Sequence, residues 1–273
     1  MGTIVTRQDR HTRVIEISAP ERLNAWTRAM RAGLANLIDE AAADDNIDSV
    51  VFVGAGQAFC AGQDFNEVLS WDENTDWISE IRDLYLQVLT FPKPTVAAVN
   101  GVAAGSGLQF ALLCDYRVAS ETARMGQTEV RWGLASVTGT WLLEETVGPL
   151  RARTLALSAA LLPAPQLLAE GLVDEVAAAD QVLAAATARA TELASHPRVT
   201  YMATKKWCFD RLRPRFDRAF DDAHRLHRDA FAEGVSTAGA AAFLARNRPA
   251  TDAAAGRNDL LGTPIPCSRS LMP

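Results

Sequence analysis

Lys93-Pro-Thr-Val-Ala-Ala-Val-Asn-Gly-Val-Ala-Ala-Gly-Ser-Gly-Leu-Gln-Phe-Ala-Leu-Leu-Cys114 carries no charge after its first lysine and is long enough to mimic a membrane span. Asn100, Ser106, Gln109 and three glycines interrupt it. A lipid-facing helix would have to strand those polar groups, so the stretch predicts a buried strand, a glycine turn and an apolar helix beginning near Leu108. Upstream, Ser49-Val-Val-Phe-Val-Gly54 repeats the pattern: a continuous apolar run followed by a glycine turn, Gly54-Ala-Gly-Gln-Ala-Phe-Cys-Ala-Gly-Gln-Asp64. Thr12 to Ile17 alternates as a strand would, and Thr27 to Ala43 is patterned as a helix. Apolar runs without alternation, separated by helical segments, belong to strands buried on both faces and joined by right-handed crossovers. The fold class is α/β.

Beyond about Ala179 strand patterns give way to amphipathic helices over Gln181–Ser195, Val199–Leu212 and Phe216–Glu233. The expected organisation is a core over 1–195, a helical C-terminal subdomain over 196–250 and a disordered tail over 251–273, where bulky apolar residues become scarce. The 273 residues carry Lys+Arg 27 against Asp+Glu 33, a net charge of -6, with 48% hydrophobic and 22% charged residues. That balance offers no basic footprint for nucleic acid or an anionic membrane. Cys60, Cys114, Cys208 and Cys267 are scattered, without a CxxC or an adjacent histidine cluster, and no charged-then-apolar leader opens the chain. A reduced, cytoplasmic protein without a metal is expected.

The glycine turns are where chemistry can sit. The first lacks the third glycine of a dinucleotide fingerprint, and no helix opens there. The second, Asn100-Gly-Val-Ala-Ala-Gly-Ser-Gly107, leads into a helix, whose free N–H groups point at negative charge. Two such turns either bring two amide donors onto one oxygen or are tight connections chosen for packing. Glu129, in Met125-Gly-Gln-Thr-Glu-Val-Arg-Trp-Gly-Leu134, is either a surface carboxylate or a desolvated one pushed toward neutral pKa. Gln109, inside an apolar run, needs hydrogen-bond partners and so either braces a turn or faces a cavity.

The strings Pro20-Glu-Arg-Leu-Asn-Ala25, Ala58-Phe-Cys-Ala-Gly-Gln-Asp64, Lys93 through Gly107, Cys114-Asp-Tyr-Arg and Gly126-Gln-Thr-Glu-Val-Arg-Trp-Gly133 resemble, in order, those of the crotonase superfamily, the enoyl-CoA hydratases and isomerases. The resemblance runs from about Val14 to Arg246. It implies a spiral of repeated ββα turns, a helical C-terminal trimerisation subdomain, and assembly as a trimer or hexamer. It also implies an acyl-CoA substrate, with coenzyme A as part of that substrate and no separate cofactor. The thioester oxygen would be held by the backbone N–H groups of Gln63 and Ser106. Losing one such donor costs roughly 3 to 4 kcal/mol of transition-state stabilisation. By the same resemblance Arg22, Leu23, Ala25 and Ala61 would contact the CoA nucleotide. Lys205 and Lys206 are either phosphate contacts or part of a solvated face. Trp132 and Trp141, flanking the Glu129 segment, would shape the acyl pocket.

Hydratases of the superfamily use two glutamates, and here the first position is Gln109. An amide neither takes nor gives a proton at neutral pH, so two-carboxylate hydration loses a partner. Ala61-Gly-Gln-Asp-Phe-Asn-Glu-Val68, Asp83-Leu-Tyr, Gly105-Ser-Gly-Leu-Gln-Phe-Ala-Leu112 and Leu226-His-Arg-Asp-Ala-Phe231 are similar to the carboxymethylproline synthases, crotonase relatives of carbapenem biosynthesis. That similarity implies decarboxylation of malonyl-CoA and attack of the enolate on a pyrroline carboxylate, with Gln109 and Glu129 orienting the second substrate. Asp64 falls within the shared strings, as does His227, which matches a substrate-facing histidine. As one of a pair with His224 on a helix rich in arginine and aspartate, His227 can equally be a surface residue. Ser106 stands where that group has a bulkier residue. The rival expectations are an enoyl-CoA isomerase or hydratase that moves protons with Glu129 alone, and a non-catalytic acyl-CoA-binding protein.

Overall fold

The computed structural model describes residues 2–246; the tail expected over 251–273 lies outside them. An antiparallel pair, β1 (Thr3–Asp9) and β2 (Thr12–Ser18), leads into α1 (Arg28–Ala43), capped by Thr27, whose side chain accepts from the Met30 N–H. Three turns of one pattern follow. β3 (Ser49–Gly54) is followed by β4 (Ala58–Cys60), then α2 (Phe65–Val68) and α3 (Trp77–Leu89). β5 (Thr95–Val99) leads to β6 (Val102–Ala104) and α4 (Ser106–Leu113), and β7 (Tyr116–Ser120) to β8 (Arg124–Gly126) and α5 (Val137–Val147). The chain continues through α6 (Pro149–Ser158), β9 (Leu162–Pro163), α7 (Ala164–Ala169), β10 (Glu175–Ala177), α8 (Val182–Ala194), α9 (Arg198–Ala232) and α10 (Val235–Arg246).

The first strand of each turn enters a six-stranded sheet, β1-β2-β3-β5-β7-β10, and the second a four-stranded sheet, β4-β6-β8-β9. β2, β3, β5, β7 and β10 are mutually parallel. This is the expected ββα spiral. The unbroken apolar runs have a physical cause: Val51, Val53, Val96, Ala98 and Val118 pack beside Val182, Ala186 and Ala190 of α8, while Val50, Phe52, Ala97, Val99 and Ala119 join the main core. Both faces are covered, so neither can be polar.

Three expectations are corrected. β1 was not anticipated; it is a largely exposed edge strand, with no buried face to imprint a pattern. α4 starts at Ser106 rather than near Leu108. The helices expected over Val199–Leu212 and Phe216–Glu233 are one, α9, which continues through Pro214. Pro214 is exposed, so the carbonyl it leaves without a helical donor can meet water, and buried Phe209, Phe216, Ala219 and Phe220 hold the two halves on one packed face.

Candidate active site

Asn100 draws the two glycine turns together: its side-chain oxygen accepts from the Gly54 N–H (3.0 Å), and its amide donates to the carbonyls of Gly56 (2.9 Å) and Ala58 (3.2 Å). Buried Asn24, at φ 57°, donates to Ala55 and Ala58 and accepts from the Ala19 N–H, fastening the Pro20–Ala25 segment alongside. The main chain then interlocks, Ala61 N–H donating to Leu23, Trp26 N–H to Gly62 and Asp64 N–H to Trp26. These ties open a pocket of about 230 Å³ lined by Arg22, Leu23, Ala25, Ala61, Gln63 and Asp64 on one wall. Ser106, Gln109, Glu129, Trp132 and His227 complete it. Phe243 and Leu244 of α10 close one side.

Gly62, at φ +96°, and Gly105, at φ +54°, occupy backbone conformations that side chains disfavour. A Cβ on Gly62 would lie 2.8 Å from the Ala104 carbonyl, and one on Gly105 would press Glu129 Oε1 at 3.2 Å. Among the described residues the amides of Gln63 and Ser106 find no protein acceptor. Ser106 opens α4, so its N–H has no partner one turn earlier in the helix.

Glu129 begins a short 3-10 turn, Glu129–Trp132, and its carboxylate is ringed by donors. Gln109 Nε2 donates to Oε1 at 2.8 Å, Gln127 Nε2 donates to Oε2, and Ser136 Oγ reaches Oε2 at 3.4 Å. Burial raises the carboxyl from 4.5 to about 7, outweighing those donors, which favour the charged form. The residue as a whole is half-buried, open toward the pocket, while its carboxyl is enclosed by packed atoms. Gln109 does both things its sequence position left open. It lines the pocket, and its Oε1 accepts from Tyr85 OH and Thr138 Oγ1, both at 2.9 Å. A carboxylate accepts only, so the amide nitrogen turns onto Glu129, and the oxygen at the other end takes the two hydroxyl protons.

The remaining site residues divide. His227 is buried among pocket residues, its Nδ1 unpartnered and Trp77 edge-on at 4.8 Å. Burial lowers its pKa to about 4, so the imidazole is neutral at pH 7. His224 is the surface member of the pair, bonded to Ser79 at 2.9 Å. Asp64 reaches the pocket wall, but its carboxylate is held by Arg22 and by Asn66, where it caps α2. Trp132 lines the pocket; Trp141 does not, packing instead on Phe216 in the core. Neither lysine reaches the pocket: Lys205 pairs with Asp115 at 2.8 Å and Lys206 with Asp210 at 2.5 Å. Sequence reasoning missed Tyr85, Gln127, Ser136 and Thr138 as carboxylate-positioning groups, and Trp77 beside His227. Gln127 is the one with a local sign, a polar residue directly after the apolar Met125-Gly126 end of β8 and two positions before Glu129. Gly139 gives it room, since a Cβ there would come within 2.2 Å of the Gln127 amide.

The enoyl-CoA hydratase/isomerase family pattern matches residues 8–252. The chain is 33% identical over 223 residues to carboxymethylproline synthase of Pectobacterium carotovorum, covering 80% of this chain and 89% of that protein. It is 36% identical to a putative enoyl-CoA hydratase of Thermus thermophilus, covering 72% and 79%. A crystal structure of an enoyl-CoA hydratase from Mycobacterium avium subsp. paratuberculosis superimposes with a TM-score of 0.80 at 30% identity, covering 89% of this chain and 96% of that one. The pocket formed by two glycine turns and Glu129 therefore sits in a chain that belongs to the enoyl-CoA hydratase/isomerase, or crotonase, family.

Proposed function

We propose that this protein is an acyl-CoA enzyme that holds a thioester enolate, and that its chemistry is decarboxylation of a malonyl-CoA-type substrate followed by carbon–carbon bond formation. The observation that carries this is the neighbour of Glu129: where a hydratase needs a second carboxyl, there is an amide locked by Tyr85 and Thr138. Decarboxylation needs no second acid. The bond to the leaving carboxylate breaks, its electron pair forms the enolate carbon–carbon double bond, the thioester π pair moves onto oxygen, and carbon dioxide departs. The Gln63 and Ser106 amides, which have no protein acceptor among the described residues, donate to that oxygen and stabilise the charge as it develops. The enolate carbon then attacks an electrophilic carbon such as that of an imine, whose nitrogen takes the electron pair and a proton. Glu129 and neutral His227, both on the pocket wall, orient that acceptor. The similarity to carboxymethylproline synthase supports the same choice.

A second reading keeps one observation in its favour. A carboxyl near pKa 7 can lend and reclaim a single proton at neutral pH, which suits a double-bond shift with Glu129 as the sole acid and base. Incubation with malonyl-CoA and with a 3-enoyl-CoA, followed by mass spectrometry, separates the two. Acetyl-CoA and carbon dioxide from malonyl-CoA, with a new adduct when an imine is added, is the expected result. Inertness toward malonyl-CoA alongside turnover of the 3-enoyl-CoA would transfer the assignment to the isomerase, and binding of both without turnover would favour a silent acyl-CoA carrier.

Self-association belongs to the same proposal. Leu150 and Leu157 on α6, and Val199, Met202 and Trp207 on α9, are large apolar side chains left exposed. Light scattering is expected to give a mass that is a multiple of three chains; a monomer at micromolar concentration would refute it.

A further inference from the structure

Ser106 offers more than its main-chain amide. Its side chain is nine-tenths buried at the pocket wall, and its Oγ accepts a hydrogen bond of 3.1 Å from the indole Nε1–H of Trp26. Trp26 is fully buried and set edge-on against Phe110, with ring centroids 5.3 Å apart and planes at 83°, so its N–H has little freedom to point elsewhere. A hydroxyl has one proton and two acceptor lone pairs. With Trp26 occupying an acceptor position, the proton must leave in another direction, and among the described residues no protein atom receives it. The position a Cβ on Gly62 would take lies 3.5 Å from both the Ser106 nitrogen and the Ser106 hydroxyl oxygen. Both groups therefore lie against Gly62, the residue that precedes Gln63.

We infer that the Ser106 hydroxyl, oriented by Trp26, is a third proton donor to the anionic oxygen of an enolate, acting with the amides of Gln63 and Ser106. This rests on the acyl-CoA enolate function proposed above and adds a side-chain device to it. The physical sense lies in oxygen's valence. A neutral thioester carbonyl has two lone pairs and is satisfied by the two amides, whereas an enolate oxygen carries a third pair and a full charge. A third donor therefore acts mainly on the charged species, and an interaction stronger there than in the ground state speeds the reaction without tightening substrate binding. Hydrogen bonds to charged groups are the strong ones. Ser106 is thereby an oxyanion-binding residue through two atoms, and Trp26 a positioning residue.

The test compares two non-turnover probes by calorimetry: acetyl-CoA, a neutral thioester, and S-carboxymethyl-CoA, a thioether whose carboxylate supplies the negative oxygen. For Ser106→Ala the affinity for S-carboxymethyl-CoA is expected to fall by roughly tenfold or more, with acetyl-CoA changed less than about twofold. Ser106→Cys, which keeps the volume and gives up the strong donor, is expected to behave alike. Trp26→Phe, which removes the indole N–H, should lose part of the same discrimination. A merely structural role would lower both affinities together. Equal losses, or no loss, in melted-and-verified folded variants overturns the third donor and leaves the enolate function standing; a wild-type protein that binds neither probe overturns the acyl-CoA function itself.

Discussion

Glu129→Gln is expected to lower adduct formation from malonyl-CoA and an imine by roughly tenfold or more while leaving acyl-CoA affinity nearly unchanged, because it alters the carboxylate that orients the acceptor and touches nothing that grips the CoA. A loss of about 10²–10⁴-fold on a 3-enoyl-CoA would instead mark Glu129 as the proton carrier of an isomerase. Steady-state kinetics beside calorimetric Kd values check both halves. The same substitution carries a thermodynamic signature. Burial places the Glu129 carboxyl at about 7 in the folded protein, against 4.5 as an ordinary glutamate. A group whose folded pKa is raised favours folding below its unfolded pKa, and that advantage is lost as pH climbs through the folded value. At about 1.4 kcal/mol per pKa unit the loss between pH 4.5 and 8 amounts to at most about 3 kcal/mol, less where pocket solvent screens the charge. The amide does not titrate, so the Tm of Glu129→Gln relative to wild type is expected to rise from pH 5 to pH 8. A constant penalty is superimposed: Gln109 donates to one carboxylate oxygen and Gln127 to the other, so the new NH₂ must face a donor. Parallel Tm profiles would show that the carboxyl is not desolvated, and unchanged turnover would remove Glu129 from the chemistry.

The α/β class was legible because its strands are buried twice, whereas the spiral arrangement came only with the motif resemblance. Val50–Val53 and Val96–Val99 alternate between the α8 layer and the main core, and their sequences carry no polar residue at all. β1 left no such imprint, since almost its whole length faces solvent. The continuity of α9 was hidden by Pro214, a residue that argues locally for a break; packing of Phe209 and Phe216 across it decided otherwise, and no window around the proline contains that information.

The pocket divides along the same line between local and distant. The glycine turns by themselves left packing and oxygen binding equally open, and only the motif resemblance singled out the Gln63 and Ser106 amides. Glu129 could be named, but not its state, because the desolvation that moves it comes from the whole pocket wall. Gln127 and Ser136 hold it from 2 and 7 positions away, but Gln109 reaches it across 20 and is itself held by Tyr85 across 24 and Thr138 across 29, while Trp26 reaches Ser106 across 80. A buried tyrosine at helical spacing carries the same sequence pattern whether its hydroxyl is functional or merely satisfied. Lys205 shows the same limit: a lysine free to bind phosphate and one committed to a half-buried aspartate look alike until Asp115 is placed beside it.

Gln109→Glu is expected to rebuild a two-carboxylate site. Gln109 Nε2 now lies 2.8 Å from Glu129 Oε1, so the substitution sets two carboxyls at hydrogen-bond distance in a wall shielded from water. Two unit charges at 4 Å repel by about 4 kcal/mol in a partly screened protein environment, so the pair retains one shared proton through neutral pH and titrates as a unit. Tyr85 and Thr138 still donate to the incoming carboxylate and favour its charged form, which leaves the proton on the Glu129 side. One acid beside one base is what addition of water to a conjugated thioester requires. Hydration of a 2-enoyl-CoA should therefore be faster than in the wild type, while turnover of malonyl-CoA falls by roughly tenfold or more as the orienting amide is lost. Stability moves with it: removing the second proton buries an unrelieved charge pair, so the variant should lose Tm more steeply than wild type above pH 7. Thermal melts at pH 6 and pH 9 beside hydration assays distinguish the two roles of Gln109. A lower Tm with no new hydration and no change in thioester preference would make Gln109 a core brace that only happens to touch the pocket, and the absence of a second acid would then no longer argue for decarboxylation.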